Sequence, residues 1–231
     1  MPTISFPDGS KKFFKSSVSP LSIAEGISNS LKKKAVIAKV NGEFWDLNRE
    51  ISEDSAVSIL RREDKETLEI LRHDCAHILA EAVLEIYPKT QVTIGPVIEN
   101  GFYYDFYREE PFSSEDLIVI EKRMHEIVDR NEKIDREVWS RSDAIKFYKD
   151  KNEPFKVELV NDIPKNQELT FYTQGDFIDL CRGPHLRSTL DTGHAFKLMS
   201  VAGAYWRGDS KNPMLQRIYG TAWTTDKELN Q

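Results

Sequence analysis

The segment TLEILRHDCAHILAEAVLEIY, residues 67–87, decides how the larger part of this chain folds. Its apolar residues recur at spacings of three and four, which is typical of an amphipathic helix. They are Cys75, Ile78, Leu79, Ala82, Val83 and Ile86. Because Pro88 cannot continue a helix, the pattern predicts one long helix from Thr67 to about Tyr87.

The residues that follow this helix alternate between strand patterns and shorter helices. Ser113 and Asp116 form a capping-box-like start for a helix over Leu117–Val128, and Ser142 is predicted to cap another short helix. Strands are predicted around Val92–Ile98, at Phe102–Tyr107, at Glu137–Trp139, near Phe155–Val160, at Leu169–Thr173 and at Phe177–Leu180. Mixed helices and antiparallel strands indicate an α+β domain.

The residues before the long helix predict a separate small unit. Two strands at residues 4–6 and 13–14 precede a helix from about Ser22 to Lys33. A strand at Ala35–Val40 then leads through the hairpin signal Asn41-Gly42 to Glu43–Trp45. This ββαββ order is the layout of a ubiquitin-like β-grasp, and the polar run 61–66 is its predicted boundary.

The composition indicates a folded chain that resides in the cytoplasm. Of 231 residues 39% are hydrophobic, which supports one to two domains with cores of their own. No apolar run approaches the ~20 residues of a membrane helix, and the N-terminus lacks the apolar core of a signal peptide. Cys75 and Cys181 make no disulfide framework; we expect Cys75 to lie in the core.

The charge is unevenly distributed. Residues 1–62 carry 10 Lys and Arg against 7 Asp and Glu, whereas the rest carries 22 against 31, for a net charge of -6. A basic first unit is compatible with phosphate binding or with ordinary solvated lysines. The overall acidity argues against broad non-specific binding of nucleic acid, which requires neutralisation of phosphates.

Two pairs of residues suggest a chemical site. His73 and His77 share one face of the predicted helix, apart from the main apolar stripe. Cys181 and His185 repeat the spacing within Asp179-Leu180-Cys181-Arg182-Gly183-Pro184-His185, on a turn that leaves a strand. Such a set can ligate zinc, or it can bind a substrate and move protons. The residues alone leave both open.

Four strings carry a resemblance to a known family. HDCAHILAEAV, IGPVIENGFYYDF, DLCRGPHL and AFKLMSVAGAYWRGDSKNPMLQRIYGTAW resemble the N-terminal editing region of bacterial threonyl-tRNA synthetases, and residues 1–62 resemble the TGS domain that precedes it. The resemblance implies a TGS β-grasp domain at 1–62 and an α+β editing domain at 63–224. Residues 225–231 would begin the linker helix to a catalytic core outside this chain. The two histidine- and cysteine-containing motifs are shared with alanyl-tRNA synthetases.

The resemblance implies hydrolysis of the ester in mischarged Ser-tRNA(Thr). A synthetic site distinguishes threonine from serine by one methyl group, worth ~1–3 kcal/mol, so serine is attached in error and a second site must remove it. The full-length enzyme would attach threonine to tRNA(Thr) using ATP. This chain, without the aminoacylation core, should act only as an aminoacyl-tRNA ester hydrolase.

The family's editing pocket maps onto specific residues of this sequence. The resemblance implies catalytic roles for His73, His77, Lys156, Cys181 and His185, and substrate-binding roles for Gly95, Pro96, Tyr104, Asp179 and Arg182. His73 would deprotonate a water, Lys156 would hold the 3′ end or polarise that water, and Asp179 would bind the substrate's α-ammonium.

Several of these residues also have a purely structural interpretation. Lys156 could be the outward residue of an exposed strand, and Tyr104 could serve core packing. The string Gly203–Asp209 is expected to be a structural turn packed on the pocket, although Arg207 within it could contact phosphate.

By the same resemblance, editing needs no cofactor and no metal. The full-length enzyme would use ATP, Mg²⁺ and a zinc ion in its catalytic core, through which it would form a homodimer. We expect this fragment to be a monomer whose partner is the 3′ end of tRNA(Thr) carrying serine, with no membrane involved.

Three alternatives stay open. A zinc-dependent deacylase of the alanyl type would use the same four residues as metal ligands. Cys181 could act as a nucleophile with a histidine base. The chain could also be a non-catalytic RNA-binding or regulatory module; it lacks the phosphate-loop motif that nucleotide hydrolysis would require.

Overall fold

The computed structural model describes residues 1–231, and its N-terminal unit is a β-grasp. Its elements are β1 (Thr3–Ser5), β2 (Lys11–Phe13), α1 (Pro20–Ile27), α2 (Asn29–Lys34), β3 (Ala35–Val40), β4 (Glu43–Trp45) and β5 (Ser55–Arg61). The five strands form one sheet in the order β2-β1-β5-β3-β4, with β1 and β5 parallel. The predicted fold of this unit is confirmed.

Two details of the β-grasp differ from prediction. The single helix predicted from Ser22 to Lys33 is two helices, because Ser28 adopts an extended backbone and its hydroxyl accepts a hydrogen bond from Leu31 N at 3.0 Å. An N-cap of this kind starts a new helix. Strand β5 was not predicted, although it lies at the centre of the sheet and buries Ser55, Val57 and Leu60.

The predicted long helix is present as α3 (Thr67–Ile86), and it occupies the centre of the larger unit. Its apolar residues, Cys75 among them, lie in the main hydrophobic core. The helix is also covered on its polar side, since Asp74, His77 and Glu81 are all buried. It therefore runs through the interior and does not lie on the surface.

Two sheets and further helices complete this α+β unit. The strands are β6 (Gln91–Val92), β7 (Val97–Ile98), β8 (Gly101–Tyr107), β9 (Ile134–Trp139), β10 (Leu169–Gln174), β11 (Phe177–Leu180), β12 (Phe196–Tyr205) and β13 (Met214–Ala222). The helices are α4 (Ser114–Asp129), α5 (Arg141–Asp150), α6 (Pro154–Asp162), α7 (Thr189–Thr192) and α8 (Asp226–Leu229). One sheet has the order β12-β13-β8-β6 with β7 paired to β8, and α3 and α4 pack on it. The other has the order β11-β10-β9 and is covered by α5 and α6.

Three local predictions for this unit are corrected and one is confirmed. The strand predicted near Phe155–Val160 is wrong, because these residues belong to α6. The cap of α5 is Ser140, whose hydroxyl accepts Asp143 N at 3.1 Å, and not Ser142. The strand predicted around Val92–Ile98 is two short strands separated by residues 93–96. The capping box of Ser113 and Asp116 is present.

The β-grasp unit and the larger unit share a hydrophobic core. Val36, Ile37 and Leu60 of the β-grasp belong to the same buried cluster as the residues of α3. Arg62 donates hydrogen bonds to the carbonyl oxygens of Asp191 at 2.9 Å and Thr192 at 3.0 Å. The two units are thus packed together, and the division of the chain at residues 62 and 224 stays a prediction. None of the helices combines the length and the apolar character needed to cross a bilayer.

Candidate functional site

The structure brings both residue pairs singled out in the sequence into one cluster. His73 and His77 project from α3, and Cys181 and His185 project from the turn that follows β11. One nitrogen or sulfur atom from each of the four lies within 4.8 Å of the others. His73 Nε2 is 3.0 Å from Cys181 Sγ, and His185 Nε2 is 3.4 Å from the same sulfur. We refer to these four residues as the His/Cys cluster.

The turn that carries Cys181 and His185 is tightly packed. Gly183 has a φ of +66°, and a Cβ there would lie 2.0 Å from the Tyr172 hydroxyl, so only glycine fits. Its backbone N–H donates to Cys181 Sγ at 3.2 Å. The Gly183–Pro184 peptide bond is cis. His185 lies against the other two histidines, with ring centroids 4.6 Å from His73 and 4.3 Å from His77.

Asp74 orients the imidazole of His185 through the ring nitrogen that faces away from the cluster. Its Oδ1 is 2.7 Å from His185 Nδ1, and its Oδ2 accepts Leu186 N at 3.1 Å, with both side chains fully buried. His185 therefore presents Nε2 to the cluster. The sequence did not reveal this role of Asp74; the only signal was its position beside His73.

A buried ion pair lies beside the His/Cys cluster. Lys156 Nζ is 2.6 Å from Asp179 Oδ1, and both side chains are 3% exposed. Asp179 Oδ2 accepts the Tyr104 hydroxyl at 3.1 Å and lies 3.9 Å from His77 Nε2. The interpretation of Lys156 as an outward residue of an exposed strand is wrong, because it projects inward from α6.

Tyr148 is a further member of this network that sequence reasoning missed. Its hydroxyl donates to Asp179 Oδ1 at 3.3 Å and accepts Leu180 N at 2.7 Å. It projects from α5, which carries no motif. Lys156 of α6, Tyr104 of β8 and Tyr148 of α5 thus hold Asp179 in place from three different segments.

Burial keeps the His/Cys cluster uncharged near neutral pH. Desolvation, together with the proximity of His185, lowers the pKa of His73 to about 4. Desolvation lowers the pKa of His185 to about 4 and that of His77 well below its usual value. It raises the pKa of the Cys181 thiol to about 12. The site therefore offers neutral imidazoles and a protonated thiol, beside the Lys156–Asp179 ion pair.

The predicted substrate-binding residues occupy different environments. Tyr104 is buried and stacks 4.9 Å from Phe106, and Gly95 packs so closely on its ring that a Cβ would lie 2.2 Å from Tyr104 Cδ2. Pro96 is half-buried and its carbonyl accepts Tyr103 N at 3.2 Å. Arg182 is exposed on the turn beside the cluster.

The Gly203–Asp209 string packs on the helix that carries Lys156. It covers the end of β12 and a 3₁₀ turn, Trp206–Gly208, with the Trp206 ring 5.2 Å from Phe155 of α6. Arg207 pairs with Glu158 and Asp162 of the same helix. Its charge is therefore compensated within the protein.

The donor set of the His/Cys cluster fits zinc chemically. Three imidazoles and one cysteine are ligands that zinc prefers, and a carboxylate hydrogen-bonded to the far nitrogen of a histidine, as Asp74 is here, is common at zinc sites. Bond lengths of about 2.0–2.3 Å require ligand separations near ~3.6 Å. Because separations here reach 4.8 Å, the cluster would have to contract by about 1 Å around an ion.

Comparison with known proteins gives two family matches. A model described as TGS domain matches residues 2–61, and one described as Threonyl and Alanyl tRNA synthetase second additional domain matches residues 169–219. The second match includes Asp179, Cys181 and His185. The two matches follow each other in the order that the sequence predicted.

Similar curated proteins match nearly the whole chain. The threonine–tRNA ligase of Bartonella quintana (strain Toulouse) is 56% identical over 227 residues, covering 98% of this chain and 34% of the relative. That of Gluconacetobacter diazotrophicus is 55% identical over 230 residues, covering 100% and 36%. That of Maricaulis maris is 56% identical over 229 residues, covering 99% and 36%. The chain spans about a third of the length of these relatives.

Proposed function

We propose that this chain has an editing function. It matches the models of a TGS domain and of a threonyl/alanyl second additional domain, and nearly its whole length aligns with about a third of the length of threonine–tRNA ligases. The site hydrolyses the ester that joins serine to tRNA(Thr), whereas a longer protein would also attach threonine using ATP. The observation that carries this proposal is the meeting of the His/Cys cluster with the buried Lys156–Asp179 pair in one site.

The physical need for such an activity follows from the substrates. Serine is smaller than threonine by one methyl group, so a synthetic pocket that holds threonine cannot exclude it strongly. A second pocket that is too small for threonine can hydrolyse the serine product and spare the correct one. The tight packing around Tyr104, Gly95 and His77 suits a pocket that rejects an added methyl group.

The reaction requires a water, a proton acceptor and a positive group near the carbonyl oxygen. We assign the proton acceptor to His73, whose imidazole is neutral near pH 7 and has a lone pair for a proton, although burial lowers its pKa and so makes it a weaker base than a solvated histidine. Its Nε2 contacts Cys181 Sγ at 3.0 Å, so this nitrogen can accept a proton from water only when that contact opens. Lys156 supplies the positive charge that polarises the water or stabilises the developing oxyanion.

We assign substrate recognition to Asp179 and the shape of the pocket to the remaining residues. The α-ammonium of serine approaches Oδ2 of Asp179, which accepts only the Tyr104 hydroxyl, because Oδ1 already holds the Lys156 ammonium and the Tyr148 hydroxyl. His77 and His185 contribute neutral walls and hydrogen bonds to the serine hydroxyl or the ribose. We assign Gly95, Pro96 and Arg182 to the binding of the terminal nucleotide.

Single-turnover deacylation tests this function. We expect this polypeptide to hydrolyse Ser-tRNA(Thr) and to leave Thr-tRNA(Thr) intact, and we expect His73→Ala to slow the hydrolysis by about 10²-fold or more. His125→Ala is the matched control, since His125 lies on α4 outside the site. Equal rates on the two tRNAs would remove the double-sieve explanation, and full activity of His73→Ala would remove the base assignment.

A zinc-dependent deacylase is the second candidate, favoured by the ligand set of the His/Cys cluster and the Asp74–His185 contact. We propose that hydrolysis proceeds without a metal. If zinc is used, the four cluster residues hold it, and it would polarise the carbonyl or activate water. Metal analysis of purified protein, with deacylation measured before and after chelation, decides between them: loss on chelation and recovery with zinc would establish the second candidate.

A further inference from the structure

Asp46 reaches the candidate site from the other unit of the chain. It follows β4 of the β-grasp, 139 residues before His185. Its Oδ1 accepts the backbone N–H of His185 at 3.1 Å, and its Oδ2 accepts the Tyr172 hydroxyl at 2.9 Å. One side chain of the β-grasp thus holds two groups of the larger unit.

Both groups support the His/Cys cluster. The Tyr172 ring lies 4.4 Å from the His185 ring, and its hydroxyl lies directly beneath Gly183. Tyr172 is buried, so that hydroxyl requires a hydrogen-bond partner inside the protein. Asp46 therefore fixes the backbone of His185 and the ring on which it rests, while Asp74 fixes the imidazole nitrogen.

Hydrogen bonds and buried neighbours hold the backbone around Asp46 in place. Its carbonyl accepts Arg49 N at 3.1 Å, and the next residue, Leu47, is buried and accepts Leu21 N at 2.9 Å. The β-grasp in turn shares its core with α3 through Val36 and Ile37. A carboxylate anchored in this way can hold a turn in place, whereas one on a mobile tether cannot.

We propose that Asp46 is a positioning residue of the editing site, so that the N-terminal β-grasp is a working part of the deacylase centre. This inference rests on the proposed deacylase function and extends it to a residue outside the second additional domain. Asp46 acts through Tyr172 and the turn at His185, without contacting the reacting atoms.

The test compares three variants of the full 231-residue chain in single-turnover deacylation of Ser-tRNA(Thr). Asp46→Ala removes both hydrogen bonds, and we expect the maximal rate constant to fall about 10-fold or more while the half-saturating enzyme concentration is unchanged. Asp46→Asn keeps an oxygen for His185 N–H and an amide for the Tyr172 oxygen, so it should stay within about 3-fold of the unsubstituted chain. Asp54→Ala is the control, because Asp54 accepts Thr3 N at 2.7 Å in the same unit, away from the site.

A fourth variant separates positioning from general loss of folding. Tyr172→Phe removes only the hydroxyl that Asp46 holds. Because both substitutions break one shared contact, Asp46→Ala combined with Tyr172→Phe should lose less than the product of the two single effects. Multiplicative losses, or an Asp46→Ala rate equal to that of Asp54→Ala, would overturn the proposal.

An NMR measurement without tRNA distinguishes failure of this inference from failure of the proposed function. With labelled histidine, and the His185 signals assigned through a His185→Gln variant, Asp46→Ala should shift the His185 imidazole resonances, whereas Asp54→Ala should not. If the chain hydrolyses no Ser-tRNA(Thr) but the resonances shift, the deacylase function fails and the positioning contact stands. If the resonances do not move, the positioning role is refuted.

Discussion

Replacing Lys156 by methionine should destabilise the protein strongly through the charge left behind. Lys156→Met retains most of the side-chain volume but removes the ammonium 2.6 Å from Asp179. Both side chains are 3% exposed, so water cannot replace the lost partner. Breaking a buried pair by removing one member typically costs about 3–5 kcal/mol.

The expected magnitude lies at the lower end of that range. Asp179 keeps the hydroxyl hydrogen bonds of Tyr104 at 3.1 Å and Tyr148 at 3.3 Å, which partly stabilise its charge. We therefore expect the free energy of unfolding to fall by about 3 kcal/mol. For a chain of this size, that corresponds to a melting temperature lower by about 6–12 °C.

The matched control is an exposed pair of the same length. Lys146 Nζ lies 2.6 Å from Asp150 Oδ2, but these side chains are 76% and 64% exposed. Lys146→Met should therefore change the free energy of unfolding by no more than about 0.5 kcal/mol. Urea titration and calorimetry of both variants measure the difference, which isolates the effect of burial.

A double substitution provides the decisive comparison. Lys156→Met combined with Asp179→Leu removes both charges, so it should recover part of the stability that Lys156→Met loses. If Lys156→Met were as stable as Lys146→Met, the carboxylate would not be dependent on its buried partner. If the double variant were less stable than Lys156→Met, the packing of Asp179 and not its charge would dominate.

Three further substitutions address buried groups in the site and next to it, the first at Glu153, the residue that precedes α6. Burial raises the pKa of Glu153 from 4.5 to about 7. Because the native carboxyl resists ionisation, the free energy of unfolding should fall by at most about 3 kcal/mol as pH rises between these values. Urea unfolding of Glu153→Gln at pH 4.5 and 8 should show no such fall. Cys181→Ser should retain Ser-tRNA(Thr) deacylation within about 10-fold, since the thiol is protonated; a loss above about 10³-fold, with a trapped seryl thioester in the unsubstituted chain, would support a nucleophile. Gly95→Ala should lower the free energy of unfolding by about 1–3 kcal/mol, because the new methyl group must displace the Tyr104 ring; an unchanged melting temperature would contradict that packing.

Elements with a local cause were predictable from the sequence. The period of α3 and the capping box at Ser113 depend on neighbouring residues, and both are present in the structure. Helix α6 was misread because apolar and polar residues alternate at its start. In the structure Phe155 and Leu159 pack with Trp206 on one side, whereas Val160 packs with α5 and β10 on another. Such two-sided burial over one helix depends on tertiary contacts.

The residues of the candidate site differ in the same way: some could be recognised from local motifs, whereas others depend on tertiary contacts. The His/Cys cluster was visible because each pair lies within one local motif. Asp74, Tyr148 and Asp46 were missed because their partners lie 111, 31 and 139 residues away, and none stands in a recognisable pattern relative to its partner. Their roles depend on how units pack against each other, which spacing along the chain does not encode.

The Lys156–Asp179 pair shows why the proposed reaction needs both members. A seryl ester brings an α-ammonium and develops negative charge on its carbonyl oxygen in the transition state. The pair offers a carboxylate and an ammonium 2.6 Å apart, with neutral histidines around them. When the substrate's cation binds Oδ2 of Asp179, it shares the single negative charge of the carboxylate with Lys156 on Oδ1, which weakens the ion pair and leaves the lysine freer to approach the oxyanion. Recognition of serine's amino group and stabilisation of the transition state are then coupled through one carboxylate, whose position is fixed by Tyr104 and Tyr148.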